Sequence, residues 1–184
     1  MRVSFRSLFA ILCTVAIALA LLPAWGVNAQ EATPEAGGTD AIAVVDLAPG
    51  ITAEVFSGVP TDLAPGQTLY TVRFVFQPGS EIFAHGHPGT TSLVVESGTF
   101  GWTLRKGTAH VVRGAASGEL TGTEEVTEPG TEVILNPGDA IYYEDDVIHT
   151  ARGAGDAPTV ILGSMLLESG APLLHEAAEA TPAS

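Results

Sequence analysis

The stretch Pro78 to Gly98, PGSEIFAHGHPGTTSLVVESG, carries two histidines one residue apart, His85 and His87. In an extended strand, side chains at i and i+2 leave the same face. The pair therefore aims two imidazoles into one space, an arrangement suited to chelating a transition metal. The remaining histidines are His110, His149 and His175. His110, between Ala109 and Val111, reads as a surface or edge-strand residue, and His175 as a solvated side chain near the chain end. No serine nucleophile elbow, phosphate-cradling glycine loop or dinucleotide fingerprint competes with this reading.

The elements that must position the pair are strands. Pro-Gly pairs recur at Pro49-Gly50, Pro65-Gly66, Pro78-Gly79, Pro88-Gly89, Pro129-Gly130 and Pro137-Gly138. Between them lie short runs rich in Val, Ile, Thr, Phe and Tyr, at 41–47, 52–56, 68–77, 92–95, 100–104, 133–135, 140–143 and 159–167. Many short strands with regular turn signals indicate an all-β sandwich or barrel. Thr68 to Gln77 alternates, which puts Tyr70, Val72, Phe74 and Phe76 on the expected core face. Lys106 to Gly130 is looser and more polar, and reads as an elaborated hairpin or long loop. The core shows no helical period, and residues 167–180 could carry a short helix at most.

Arg2 and Arg6 precede an apolar run, Leu8 to Leu22, that Pro23 breaks; Val27-Asn28-Ala29 then offers small residues for cleavage. This is the pattern of a secretory signal peptide over residues 1–29, so the expected location is exported: secreted, periplasmic or at the cell surface. A retained anchor is the other reading, but the run is short for a span of roughly 20 residues. Cys13 follows Leu12 rather than a small residue, which argues against a lipid anchor. It is the single cysteine, so the cut chain has neither a disulfide nor a thiolate ligand. Residues 30–40 read as a flexible linker and 169–184 as a flexible C-terminal tail, bracketing one domain over 41–168. Removing 1–29 takes two of seven basic residues and none of 21 acidic ones, so the formal charge moves from −14 to −16. Such a surface repels nucleic acid and anionic lipid, and neither nucleic-acid binding nor stable membrane insertion after signal cleavage is expected.

Gly79, five residues, His85-Gly86-His87 and then Gly98 resemble the first motif of the cupin superfamily, G-x5-H-x-H-x3–4-E-x6-G. Leu135-Asn136-Pro137-Gly138-Asp139-Ala140-Ile141-Tyr142-Tyr143 followed by His149 resembles the second, G-x5-P-x-G-x2-H-x3-N, with variable spacing before its histidine. The resemblance spans roughly Tyr70 to Leu167, with the two halves in the family's order. It implies a single-domain cupin-type jelly-roll β-barrel, an RmlC-like fold, with His85, His87 and His149 as three of the four usual metal ligands. The fourth, a glutamate, does not carry over. Its place falls at Thr91 or Ser92, and counting back from Gly98 favours Thr91. Glu96 turns to the opposite face, and Glu81 is expected at the barrel mouth. Gly153 stands where the second motif ends in asparagine.

Other side chains take blander readings. Glu144-Asp145-Asp146 is read as a solvated turn rather than as a substitute anionic ligand. One ring of Tyr142 and Tyr143 should line the cavity, and Trp102, Phe74 and Phe76 read as core or cavity wall. The function expected from all this is an exported protein holding a divalent transition metal (Fe, Mn, Ni, Cu or Zn) through three histidines, with a small molecule in the barrel. If it is an enzyme, the expected class is a metal-dependent oxidoreductase of the dioxygenase type. The alternative is a non-catalytic binding or structural cupin with a degenerate metal site. By analogy with the family, two chains pair.

Overall fold

The computed structural model describes residues 41–114 and 120–177. The expected signal peptide, the linker and the last seven residues lie outside these. The described chain forms thirteen strands: β1 (Ala43–Ala48), β2 (Ile51–Pro60), β3 (Gln67–Phe76), β4 (Glu81–Gly86), β5 (Gly89–Ser97), β6 (Phe100–Lys106), β7 (Ala109–Gly114), β8 (Leu120–Val126), β9 (Glu132–Leu135), β10 (Ala140–Tyr143), β11 (Ile148–Gly153), β12 (Thr159–Glu168) and β13 (His175–Glu176). They make two sheets, ordered β1-β2-β3-β12-β5-β10-β7-β8 and β13-β4-β11-β6-β9, with every pairing antiparallel.

The turn chemistry behaves as the sequence reads. Gly50, Gly66, Gly79, Gly130 and Gly138 each take positive φ after their prolines, reversing the chain between strands. Lys106 to Gly130 contains the β7–β8 hairpin. Along β3, Val72, Phe74 and Phe76 are buried and Tyr70 half-buried, whereas Leu69 is exposed. The core lies between the sheets: Ile51, Phe74, Phe76, Leu93 and Ile161 from one, and Ile82, Phe100, Trp102 and Leu104 from the other.

The C-terminal expectation is corrected. No helix forms in 167–177: β12 continues to Glu168, and after a short connection β13 pairs with β4, His175 opposite Gly86 and Glu176 opposite His85. Leu173 and Leu174 pack against the core. The segment 169–177 thus joins the barrel through its apolar pair and the β13–β4 pairing.

Candidate metal centre

Two strands of the smaller sheet bring the two histidine-bearing stretches side by side. The β4–β11 register sets His149 directly opposite His85. From there to the pair Ala151 and Ile82, β11 advances by two residues and β4 by three, so β4 carries an extra residue, a β-bulge. A bulge resets side-chain alternation. It lets both Ile82 and His85 face the interior, although strict alternation would set them on opposite faces. The carbonyl of Phe83, inside the bulge, accepts a hydrogen bond from His85 Nδ1 at 2.8 Å. A second irregularity, between Ile148 and His149 against β6, lies on the other side of the same histidine.

The result is a cluster of three imidazoles. His85, His87 and His149 are all buried, with ring centroids 4.2 Å (His85–His149), 5.1 Å (His85–His87) and 5.5 Å (His87–His149) apart. Each offers a nitrogen within 4.8 Å of the others. Trp102 stacks on His149 at 5.0 Å and 22°, and Tyr143 Oη lies 3.4 Å from His149 Nε2. His87 Nδ1 donates to the carbonyl of Leu173 at 2.6 Å. With Nδ1 protons fixed on backbone carbonyls, His85 and His87 keep Nε2 as the free nitrogen.

Burial dominates the electrostatics. It pulls His87 down to about 3, with the neighbouring His85 adding to the shift and the Leu173 carbonyl opposing it. His85 is lowered and His149 lowered strongly, again chiefly by burial. All three are therefore neutral at pH 7, the form in which imidazole binds a metal. Burial raises the Tyr143 phenol, so its proton stays on. The Trp102 indole N–H acts the other way on that phenol, though it meets hydrogen-bond geometry with no acceptor.

Whether these residues suit a metal can be judged from an orphaned atom. His149 Nδ1 is buried with no hydrogen-bond partner. A buried polar atom left alone costs roughly 1–3 kcal/mol; in the tautomer whose Nε2–H donates to Tyr143 Oη, this Nδ1 keeps its lone pair and is the nitrogen His149 would offer a cation. The donor set, neutral imidazole only, suits Zn, Cu, Fe or Ni. The group fits.

The beds of the missing family residues are equally plain. Thr91 is fully buried, opposite Tyr143 in the β5–β10 register, and its hydroxyl has no partner. Ser92 is exposed and Glu96 reaches Arg73 on the outer face. No carboxylate joins the cluster among the described residues. Glu144, Asp145 and Asp146 are exposed, with Glu144 accepting from Thr90 Oγ1 at 2.6 Å and its carbonyl from the Val147 amide. Gly153 cannot be an asparagine, since a Cβ there would lie 2.6 Å from the Gln77 carbonyl. The Asp139 carboxylate serves the fold, accepting from the amides of Asn136 and Gly114 and from Arg113.

One placement departs from the sequence reading, and two histidines gain detail. Glu81 is not at the barrel mouth: the bulge turns it to the outer face beside Arg152. His110 belongs to an interior strand rather than an edge, where it stacks on Tyr142 at 4.7 Å, away from the cluster. His175, exposed as expected, sits on a paired strand, and its Nε2 lies 3.1 Å from where a Cβ on Gly86 would be. Sequence reasoning missed Leu173 and Leu174 altogether. A backbone carbonyl leaves no trace in residue type, so only the apolar pair itself offered a signal.

The cluster opens on a cavity of about 20 Å³, room for roughly one water, with a largely apolar wall that includes Phe74, Phe76, Leu93, Phe100, Ile161 and Leu174. Two antiparallel sheets thus enclose a histidine cluster assembled from a strand pair that joins the first motif to the second. The architecture is the all-β barrel of two antiparallel sheets that the resemblance to cupins implies.

No protein-family model matches the sequence, and no curated protein does either. Solved structures do. A DMSP lyase structure aligns at 15% identity and TM-score 0.47, over 70% of this chain and 53% of that one. A cupin 2 domain-containing protein from Halorhodospira halophila aligns at 15% identity and TM-score 0.46, over 79% and 77%. Salicylate 1,2-dioxygenase from Pseudaminobacter salicylatoxidans aligns at 15% identity and TM-score 0.44, over 65% and 27%. The chain spans about half the length of the lyase and about a quarter of the dioxygenase.

Proposed function

We propose that this is an exported cupin that holds a divalent transition metal (Fe, Mn, Ni, Cu or Zn) through His85, His87 and His149, and admits a small molecule to the adjoining cavity. The observation that carries this reading is the buried, uncharged three-imidazole cluster with one nitrogen orphaned. A bound ion would supply a Lewis acid or an oxygen-binding centre, and three protein ligands would leave coordination positions for water, oxygen or substrate. The reaction class we favour is a dioxygenase-type oxidation.

The residues have separable tasks. His85 and His87 are held in one tautomer by the Phe83 and Leu173 carbonyls. The apolar wall excludes water from the ligand, while Tyr143 Oη keeps its proton beside His149. No charged side chain lines the cavity among the described residues. The lining favours an apolar ligand, and one larger than a water enters only when the wall side chains move aside.

A second reading, a binding barrel without catalysis, draws on Thr91 standing where the family places its carboxylate. Both readings keep the barrel; the second has a degenerate metal site and no turnover.

Thermal unfolding of tag-free protein with added Fe²⁺, Mn²⁺, Ni²⁺, Cu²⁺ or Zn²⁺ tests the metal. At a hundredfold excess over Kd, binding to the folded state adds about 2.7 kcal/mol, and His87→Ala should lose that gain. A midpoint unmoved by all five ions would rule the proposal out.

A further inference from the structure

The first-motif histidines do not complete their own surroundings. His87 follows the last residue of β4, and its Nδ1 finds its acceptor at the far end of the sequence, on the Leu173 carbonyl at 2.6 Å. The next residue, Leu174, is part of the cavity wall. One further, His175 pairs with Gly86, the residue between the two candidate ligands, and lies where a Gly86 side chain would be. The run is pinned at its end by the Ala177 amide, which donates to the Ala84 carbonyl at 2.9 Å.

We propose that residues 173–177 form a strap that completes the metal centre, with the Leu173 carbonyl as the positioning group that fixes His87 in its binding tautomer. This inference rests on the metal reading above. A carbonyl behind a ligating imidazole sets which nitrogen carries the proton and where the ring points, and losing such a partner commonly weakens metal affinity 10–100-fold. Gly86 has a role in the same device: a Cβ there would meet His175 Nε2 at 3.1 Å, Ile148 Cδ1 at 3.0 Å and the Val147 carbonyl at 3.1 Å. The glycine lets the strap lie flat against the strand that bears the ligands. By reciprocity, a strap that favours the metal must itself be held more tightly once the metal binds.

The test uses the full chain and Co²⁺ as probe. Ala177→Pro removes the amide that pins the strap without touching a ligand, and Ala177→Ser retains it. Calorimetric titration should show Co²⁺ binding 10–100-fold weaker in Ala177→Pro and unchanged in Ala177→Ser. At saturating Co²⁺ the absorption bands of the proline variant should also differ, since His87 is free to turn; a strap that only adds stability would leave that spectrum alone. Should the proline variant fail to fold, hydrogen exchange on the unaltered protein decides, with the Ala177 amide expected to slow when Co²⁺ is added. Wild-type affinity and spectrum in Ala177→Pro, or no added protection at Ala177, would overturn the strap while leaving metal binding standing. Absence of Co²⁺ binding to the unaltered protein would overturn the metal reading, and the strap with it.

Discussion

The two faces of the β4–β11–β6 surface are built from the same strands and could hardly differ more. Inward, Ile82, His85, Trp102, Leu104, His149 and Ala151 are buried, and the polar atoms among them are incompletely paired. Outward, Glu81, Thr103, Arg105 and Arg152, with Glu132 of the neighbouring β9, line an open groove in which Arg152 grips Glu132 with contacts of 2.7 and 3.3 Å. The outer face satisfies its charges with partners and solvent. The inner face holds its titratable groups uncharged and leaves His149 Nδ1 and the Trp102 indole N–H wanting, as does the Thr91 hydroxyl on β5 across the interior. Unmet polar demand inside the barrel marks the inner face as the one shaped for a ligand.

The largest expected difference between the faces is in acid. A histidine whose folded pKa lies below its unfolded value of 6.5 contributes stability in full above that pH and loses it as pH falls toward the folded value, about 3 for His87. From pH 6.5 to 4, His87 alone should cost the metal-free protein about 3 kcal/mol, with His85 and His149 adding to this. The outer pair acts later and less: the Arg152 hydrogen bond lowers Glu132, so its contribution survives until pH falls below the ordinary glutamate value of 4.5. Urea titrations of metal-free protein at stepped pH should show a steep loss that added salt barely changes. A flat profile down to pH 4 would mean the imidazoles are not held neutral.

Next in size is Trp102→Ala. The indole is fully buried against His149, and its loss should cost about 3–5 kcal/mol by denaturant titration. Thr91→Val tests the inner face in the opposite direction. It keeps the shape and removes an unpartnered hydroxyl, so stability should hold or rise by about 1 kcal/mol. A loss above about 1 kcal/mol would show that the hydroxyl has a partner after all. Smallest is Arg152→Ala, a half-exposed ion pair whose removal should change stability by less than about 1 kcal/mol, and by less still in high salt.

Much of the barrel was legible because its signals are local. Proline followed by positive-φ glycine marks the turns at Gly66, Gly79 and Gly138, and the alternation of Val72, Phe74 and Phe76 marks a core-facing strand. The i, i+2 spacing of His85 and His87, with His149 after the second motif, identified the three side chains that the fold gathers. What stayed hidden is non-local or carried by backbone. The β4 bulge shifts alternation by one residue, which is why Glu81 lies outside while His85 lies inside. The two-residue β13 is too short to show any period, and the Leu173 carbonyl that fixes His87 looks the same in every residue type. The absence of the motif's asparagine gained its reason only from the close approach of the Gln77 carbonyl to Gly153.

On the proposal above, the inner face binds a metal and the outer face does not. Elemental analysis of protein purified without a chelating tag and dialysed after exposure to Fe²⁺, Mn²⁺, Ni²⁺, Cu²⁺ or Zn²⁺ tests it most directly, with His149→Ala and Arg152→Ala measured alongside. About one equivalent of one of these metals is expected in the unaltered protein and in Arg152→Ala, with most of it lost in His149→Ala. Less than about a tenth of an equivalent in the unaltered protein, or equal retention in His149→Ala, would contradict the proposal.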